Sequence, residues 1–289
     1  MSAGSSAPRP TPTADPLRLR ARAAGRRTRA LLCAALSAAL AGAALADPPP
    51  EAPARADGLI SGTWFASPET RAIQQDEFSN PGMLSVERGA ERWGEAAGEA
   101  GKSCADCHGS GAEALAGVGA RYPRYDAAAG TLINLGQRIN LCRTRHMQAA
   151  AFEPESAPRL ELEAFVMRAS LGMAMDVATD GPAAPFFARG QALYRQRVGQ
   201  MDLACTMCHD QRPGHYLRAE HISQGHVNGF PAYMMRWGGM ASRQRRFQFC
   251  NEQARAEPLP IDSPDYNALE LYVAWRGNGL EIETPAVRR

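Results

Sequence analysis

Beyond residue 46 the chain has no apolar run long enough to span a membrane, so no stable membrane insertion is expected. Neither sign of charge is in large excess. The formal net charge of +2 comes from the first 46 residues, which hold seven arginines and one aspartate; without them the balance is −4. Such a balance supplies no basic face for nucleic acid. The strand–helix alternation that would frame a thioredoxin-like Cys pair is also missing. Charged residues at 21% and hydrophobic residues at 45% are ordinary for a globular protein, and 289 residues suffice for one large or two modest domains.

The N-terminus has its own pattern. Arg18, Arg20, Arg22, Arg26, Arg27 and Arg29 form a basic run, an Ala/Leu-rich stretch follows from Ala30 to Leu45, and Ala44-Leu45-Ala46 is a small-x-small site. Residues 1–46 are therefore expected to be a signal peptide cut after about Ala46, which places the mature chain in the periplasm and removes Cys33. The proline-rich stretch 47–58 is a leader. Gly181-Pro182-Ala183-Ala184-Pro185 is the best internal linker, because its prolines and glycine forbid a continuous helix. The expected domains are 47–180 and 181–289.

Six cysteines remain after processing. Four lie in Cys104-Ala105-Asp106-Cys107-His108 and Cys205-Thr206-Met207-Cys208-His209, both C-x-x-C-H. Two cysteines on one helical turn reach the two vinyl groups of a haem, and the adjacent histidine reaches the iron from the same side. A Cys₄ zinc site would leave both histidines without a role. Two covalently bound haem c groups are expected, with Cys104, Cys107, Cys205 and Cys208 as attachment points and His108 and His209 as proximal iron ligands.

The two motifs sit inside a longer repeat. Arg88-Gly89 and Arg189-Gly190 precede their motifs by the same distance, and Trp93 and Tyr194 match. Tyr122-Pro123-Arg124-Tyr125 recurs as Phe230-Pro231-Ala232-Tyr233, and Arg138-Ile139-Asn140-Leu141-Cys142 as Arg246-Phe247-Gln248-Phe249-Cys250. Leu162-Glu163-Ala164-Phe165-Val166 then matches Leu269-Glu270-Leu271-Tyr272-Val273. The offset is 101 at the motifs, 108 at the cysteine blocks and 107 at the last, so the second copy carries seven extra residues after its motif. Helical spacing in the last blocks predicts closing amphipathic helices, the second capped by Ser263-Pro264-Asp265. The expected fold is mostly α, with two tandem class-I-like cytochrome c domains, long loops between elements, and an origin by internal duplication.

Each iron needs a second axial ligand. Methionines such as Met147, Met167, Met173, Met175, Met234, Met235 and Met240 do not pair between the copies, nor do His146, His215, His221 and His226. Cys142 and Cys250 do, and a thiolate is a good haem ligand. A Cys142–Cys250 disulfide is the competing use of these two cysteines in an oxidising compartment. Arg138 and Arg246 stand four residues before them, on the same helical face. Pairing with haem propionates is one role for such an arginine; gripping an oxoanion and holding the cysteine as thiolate is the other. Arg243, Arg245 and Arg246 make the charge denser before Cys250, while Arg143 and Arg145 follow Cys142.

Two C-x-x-C-H motifs, Phe230-Pro231-Ala232-Tyr233 and Arg246-Phe247-Gln248-Phe249-Cys250-Asn251 together resemble SoxA, the larger subunit of the SoxAX cytochrome of bacterial thiosulfate oxidation. The likeness runs over nearly all of the mature chain. Some members lack the first motif; here Cys104, Cys107, His108 and Cys142 are all present, as in the diheme type. The resemblance implies an L-cysteine S-thiosulfotransferase that joins thiosulfate to a cysteine of the SoxYZ carrier, with the monohaem cytochrome SoxX as heterodimer partner. It implies that Cys250 is both distal ligand of the second haem and catalytic cysteine, often a persulfide. It also implies that Arg246 holds thiosulfate, and that His108 and Cys142 hold the first haem. A diheme electron carrier without sulfur transfer is the alternative.

Overall fold

The computed structural model describes residues 57–289. The signal peptide expected over 1–46 lies outside the described residues, as does most of the expected leader. Nine α-helices and seven short strands occur among the described residues. In the first half they are α1 (Pro68–Gln75), α2 (Met83–Gly94), α3 (Ala105–His108), β1 (Arg124–Asp126), β2 (Thr131–Ile133), α4 (Leu135–Cys142) and α5 (Ala157–Arg168). The second half has α6 (Ala184–Arg195), α7 (Cys205–His209), β3 (Tyr216–Leu217), β4 (Glu220–His221), β5 (Ala232–Met234), β6 (Gly239–Ala241), α8 (Arg243–Gln253), α9 (Pro264–Arg276) and β7 (Ala286–Arg288).

Local chemistry sets most of these boundaries. Asn134 opens α4 with a capping box: its side chain accepts from Gln137 N, and the Gln137 side chain accepts from Asn134 N. Ser242 and Ser263 cap α8 and α9 by accepting from Arg245 N and Tyr266 N. Pro158, Pro185 and Pro264 sit in first turns, where a missing N–H costs nothing. The segment read as a linker is more structured than that expectation. Gly181–Ala183 forms a 3-10 turn with Ala183 buried, and Ala184 and Pro185 begin α6.

Two helix crossings form the frame, α2 on α5 and α6 on α9, and glycine makes both possible. A Cβ on Gly89 would stand 2.1 Å from the Glu161 carbonyl oxygen, and one on Gly190 would stand 1.9 Å from that of Ala268. Only a residue without a side chain permits backbones to approach so closely.

The closing helices differ from the amphipathic expectation. Arg159–Met167 of α5 and Tyr266–Ala274 of α9 are buried without interruption. Each is covered on one side by its crossing partner and on another by strands: α9 also touches β2, and α5 touches β6. Charged residues survive there because they are paired. Arg159 binds Asp262 at 2.5 Å and Glu163 at 2.9 Å, and Arg243 binds Glu270 at 3.1 Å. Gln244 Nε2 donates to Asn267 and Glu270, and Asn134 Nδ2 donates to Asp262. Arg159 and Asn134 reach across the halves to Asp262, and one apolar core runs through both.

The hairpins carry the segments that face the site. β1 pairs with β2 and β5 with β6, each antiparallel with a four-residue loop, and β7 adds in parallel to β5. The small β3–β4 hairpin lies in the segment between His209 and Phe230, which is seven residues longer than its counterpart in the first half. The N-terminal stretch fastens onto the second half and, through Glu77 and Arg168, also onto the first. Ile60 N donates to Gln224 Oε1, Ser61 Oγ to Glu283, and Val287 N to Gln74 Oε1.

Candidate haem and sulfur site

In the first half Cys104 immediately precedes α3, and Cys107 and His108 lie within it. Ser103 N donates to Asp106 Oδ2 at 2.8 Å and Asp106 N donates to Ser103 Oγ at 3.2 Å, which fixes the start of this one-turn helix. Trp93 backs it: its Nε1 donates to Gly109 O at 2.8 Å, and its ring lies 5.6 Å from that of His108. Cys142 ends α4 near Cys104. Burial raises the Cys104 thiol above its ordinary range, and the nearby Cys142 raises it further.

In the second half Cys205, Cys208 and His209 occupy the single turn of α7. His209 Nδ1 lies 2.8 Å from Ser223 O. A ring N–H donating to that carbonyl leaves the Nε2 lone pair for a metal, the arrangement of a ligating imidazole. Burial lowers the pKa of His209, which favours the neutral ring such a ligand needs. Gly225, at φ +80°, lets the loop lie against the imidazole; a Cβ there would be 2.9 Å from His209 Cγ.

Cys250, on α8, reaches the same place. Its surface is open, yet protein encircles it closely enough that burial is the main cause raising its thiol pKa. Arg246 opposes that shift, Cys208 adds to it, and Arg236 opposes it. Cys205 is pushed up to about 12 by burial and then by Cys250. These shifts report proximity: attached to haem, Cys104 and Cys205 would be thioethers and would not titrate. All six described cysteines are free, so the Cys142–Cys250 disulfide does not form.

The two arginines at corresponding positions have different surroundings. Arg138 binds Asp126 at 3.0 Å, so its charge is matched by a carboxylate. Arg246 has a buried Nη1 with no hydrogen-bond partner, and its guanidinium lies over the Phe249 ring at 5.1 Å. A buried unsatisfied donor beside a cysteine needs an acceptor, which an incoming anion would supply.

The charge density expected from Arg243, Arg245 and Arg246 is not what surrounds Cys250. Arg243 is buried against Glu270 and the Tyr122 carbonyl, and Arg245 binds Glu252 at 3.1 Å and stacks on Trp237. Their place is taken by Arg236, which sequence reasoning missed. Ser223 and Gly225 behind His209 were missed as well; the signal for that loop is the seven-residue excess. Several of the unpaired histidines and methionines have local roles. His221 Nδ1 bonds to Gly214 O and His226 Nε2 to Gln224, while Met147, Met167, Met175 and Met234 fill the core.

The donor set fits haem c. Each motif offers two thiols and an imidazole on one turn, and His209 has its outer-shell carbonyl. The family described as SoxA/TsdA, cytochrome c domain, matches residues 88–175, which contain the first motif. The chain is therefore a c-type cytochrome carrying covalently bound haem c. Its relatives include the proteins named L-cysteine S-thiosulfotransferase subunit SoxA from Pseudaminobacter salicylatoxidans and Paracoccus pantotrophus. The first is 44% identical over 235 residues, covering 81% of this chain and 82% of that one. The second is 39% identical over 280 residues, covering 89% and 96%. The crystal structure of SoxXA from P. pantotrophus contains a chain that superposes with a TM-score of 0.77 at 41% identity, covering 80% of this chain and 87% of that one. The chain belongs to the SoxA family. No helix among the described residues is long and apolar enough to cross a membrane.

Proposed function

We propose that this chain is the catalytic diheme subunit of an L-cysteine S-thiosulfotransferase. It acts in the periplasm after loss of residues 1–46, as a heterodimer with SoxX. It couples thiosulfate to the carrier cysteine of SoxYZ. One S–S bond forms between the outer sulfur of thiosulfate and the carrier thiol, and one proton and two electrons leave.

Two haem c groups are assigned, one held by Cys104, Cys107, His108 and Cys142, the other by Cys205, Cys208, His209 and Cys250. When bound, haem c supplies a one-electron redox centre. Cys250 is the reacting sulfur, and Arg246 holds the sulfonate end of thiosulfate through charge-assisted hydrogen bonds. The observation that carries this reading is the buried, unpartnered Nη1 of Arg246 beside Cys250, set against an Arg138 already bound to Asp126.

The two halves, 47–180 and 181–289, are read as duplicated cytochrome c domains that share one core. Support comes from matched details at the 101- and 108-residue offsets. Gly89 and Gly190 stand at the two crossings, and Trp93 bonds Gly109 as Tyr194 bonds Asp210. Asn134 and Ser242 cap the two cysteine helices.

The test is a coupling assay with SoxX and SoxYZ, with low-temperature EPR of the same preparations. Cys250→Ala is expected to abolish coupling and to remove the low-spin His/thiolate signal of the second haem, leaving that of the first. Full activity in Cys250→Ala would refute the assignment and leave an electron carrier.

A further inference from the structure

The hairpin loops of the two halves differ in charge in a way the duplicated cysteines do not explain. Under the 108-residue offset, Asp126 corresponds to Met234, Ala128 to Arg236, and Leu141 to Phe249. The strands keep this correspondence: Asp126 faces Thr131 across the first hairpin as Met234 faces Gly239 across the second. All three differences act in the same direction. The second half loses the carboxylate that neutralises Arg138, gains a cation in the loop, and gains an aromatic ring for it to rest on.

The geometry completes the pattern. The Arg236 guanidinium lies over the Phe249 ring at 4.4 Å, and Arg246 lies over the same ring at 5.1 Å. Phe249 immediately precedes Cys250. Trp237 packs edge-on to Phe249 at 5.8 Å and holds the ring in place. Arg236 also forms an ion pair with Glu220 of β4, in the β3–β4 hairpin. That pair is partly exposed, with both side chains retaining over a quarter of their surface, so Arg236 has access to solvent.

We propose that Arg236 is a second anion-binding residue of this site, which with Arg246 forms a dication selecting a doubly charged sulfur oxyanion, and that Glu220 is the counter-ion the anion displaces. This deepens the proposed function and rests on its reading of Arg246 and Cys250. A single guanidinium balances half the charge of thiosulfate; two converging on one ring balance it all. Both cations act on Cys250, and Glu220 supplies the counter-charge of Arg236 until the dianion arrives. The β3–β4 hairpin thereby acquires a role, since it carries the carboxylate that sets the cost of binding.

The experiment is titration calorimetry of the haem-loaded heterodimer with thiosulfate and sulfate as dianions and thiocyanate as a sulfur-bearing monoanion. Arg236→Gln is expected to weaken both dianions about tenfold or more, the size of one lost charged hydrogen bond, and thiocyanate by much less. Arg236→Lys should recover part of the loss. Glu220→Gln should act oppositely and tighten the dianions. EPR signals identical to the native protein's confirm that the haem ligands are unchanged in each variant. Thiosulfate affinity unchanged in Arg236→Gln, or an equal loss for mono- and dianions, overturns the dication. A native protein that binds thiosulfate through Arg236 yet couples none would remove the transferase reading and keep the dication. Coupling that is indifferent to Arg236, with binding equally indifferent, would do the reverse.

Discussion

Gly89→Ala and Gly94→Ala are the same substitution in the same helix, and the structure predicts opposite effects. At Gly94 a Cβ meets nothing within 4 Å, so alanine should be neutral or stabilise by up to about 0.5–1 kcal/mol through reduced backbone entropy in the unfolded chain. At Gly89 the added carbon would stand 2.1 Å from the Glu161 carbonyl oxygen and 2.8 Å from Phe165 Cβ. Ordinary contact needs roughly 3.5 Å, so α2 and α5 would have to separate by about 1 Å. Neither obstacle is a flexible chain end; one is backbone and the other the root of a buried ring. Forced expansion of a packed core costs about 1–3 kcal/mol. It is offset in part by the same helical gain as at Gly94, for a net loss of about 1–2 kcal/mol. For a protein of this size that lowers the melting temperature by roughly 2–8 °C. Thermal denaturation of the haem-loaded protein, followed by circular dichroism, measures both variants. Melting temperatures for the two that agree within about 1 °C would refute the close-crossing argument.

Two other expectations concern the second haem and the buried carboxylates. Gly225→Ala forces a side chain to within 2.9 Å of His209 Cγ at φ +80°, so it should displace the imidazole and weaken its bond to Ser223. The EPR g-values of the second haem should shift while those of the first stay fixed; unchanged spectra would argue against the loop's role. Glu163 is pushed up to about 7, burial outweighing the attraction of Arg159, whose charge is shared with Asp262. The folded state therefore holds a proton that the unfolded chain releases, so stability should fall as pH rises from about 4.5 through about 7. Burial raises Glu155 and Glu270 in the same direction, so Glu163→Gln should flatten that fall without abolishing it; denaturant midpoints across pH read the slope.

Much of the site could be read in the sequence because covalent chemistry demands fixed spacing. C-x-x-C-H, the paired Arg-x-x-x-Cys blocks and the cap at Ser263 are local patterns, and each lies on a helix. What escaped was tertiary. The periodicity of Leu162, Phe165 and Val166 suggested one buried face, because nothing local says that Glu161, Glu163 and Arg159 on the remaining faces meet partners across the molecule. Arg243 and Arg245 read as charge beside Cys250 because sequence gives proximity along the chain without direction. On α8 Arg243 is drawn into the core by Glu270 and Arg245 pairs with Glu252, which leaves Arg246, one turn before the cysteine, beside it. Arg236 lies fourteen residues before Cys250 and is brought back by the β5–β6 turn. Comparing the repeats residue by residue, instead of motif by motif, would have exposed it as Ala128 replaced by arginine.

On the proposed reading, duplication accounts for both cysteines and for neither one's reactivity. Cys142 and Cys250 end up at equivalent places, each near the first thiol of its own motif. What differs is the electrostatics of approach. In the first half Arg138 is committed to Asp126, and the loop beside it is alanine. In the second, the carboxylate has become Met234, buried in the core, and the ion-pair partner of the added arginine among the described residues is Glu220 of the β3–β4 hairpin. Both carboxylates lie on paired strands, but Asp126 keeps 14% of its side-chain surface and Glu220 28%, so the second is the more open to a competing anion. On the proposed reading, the same sulfur ligand is closed to anions in one half and open in the other. The difference lies in which counter-ion can be displaced.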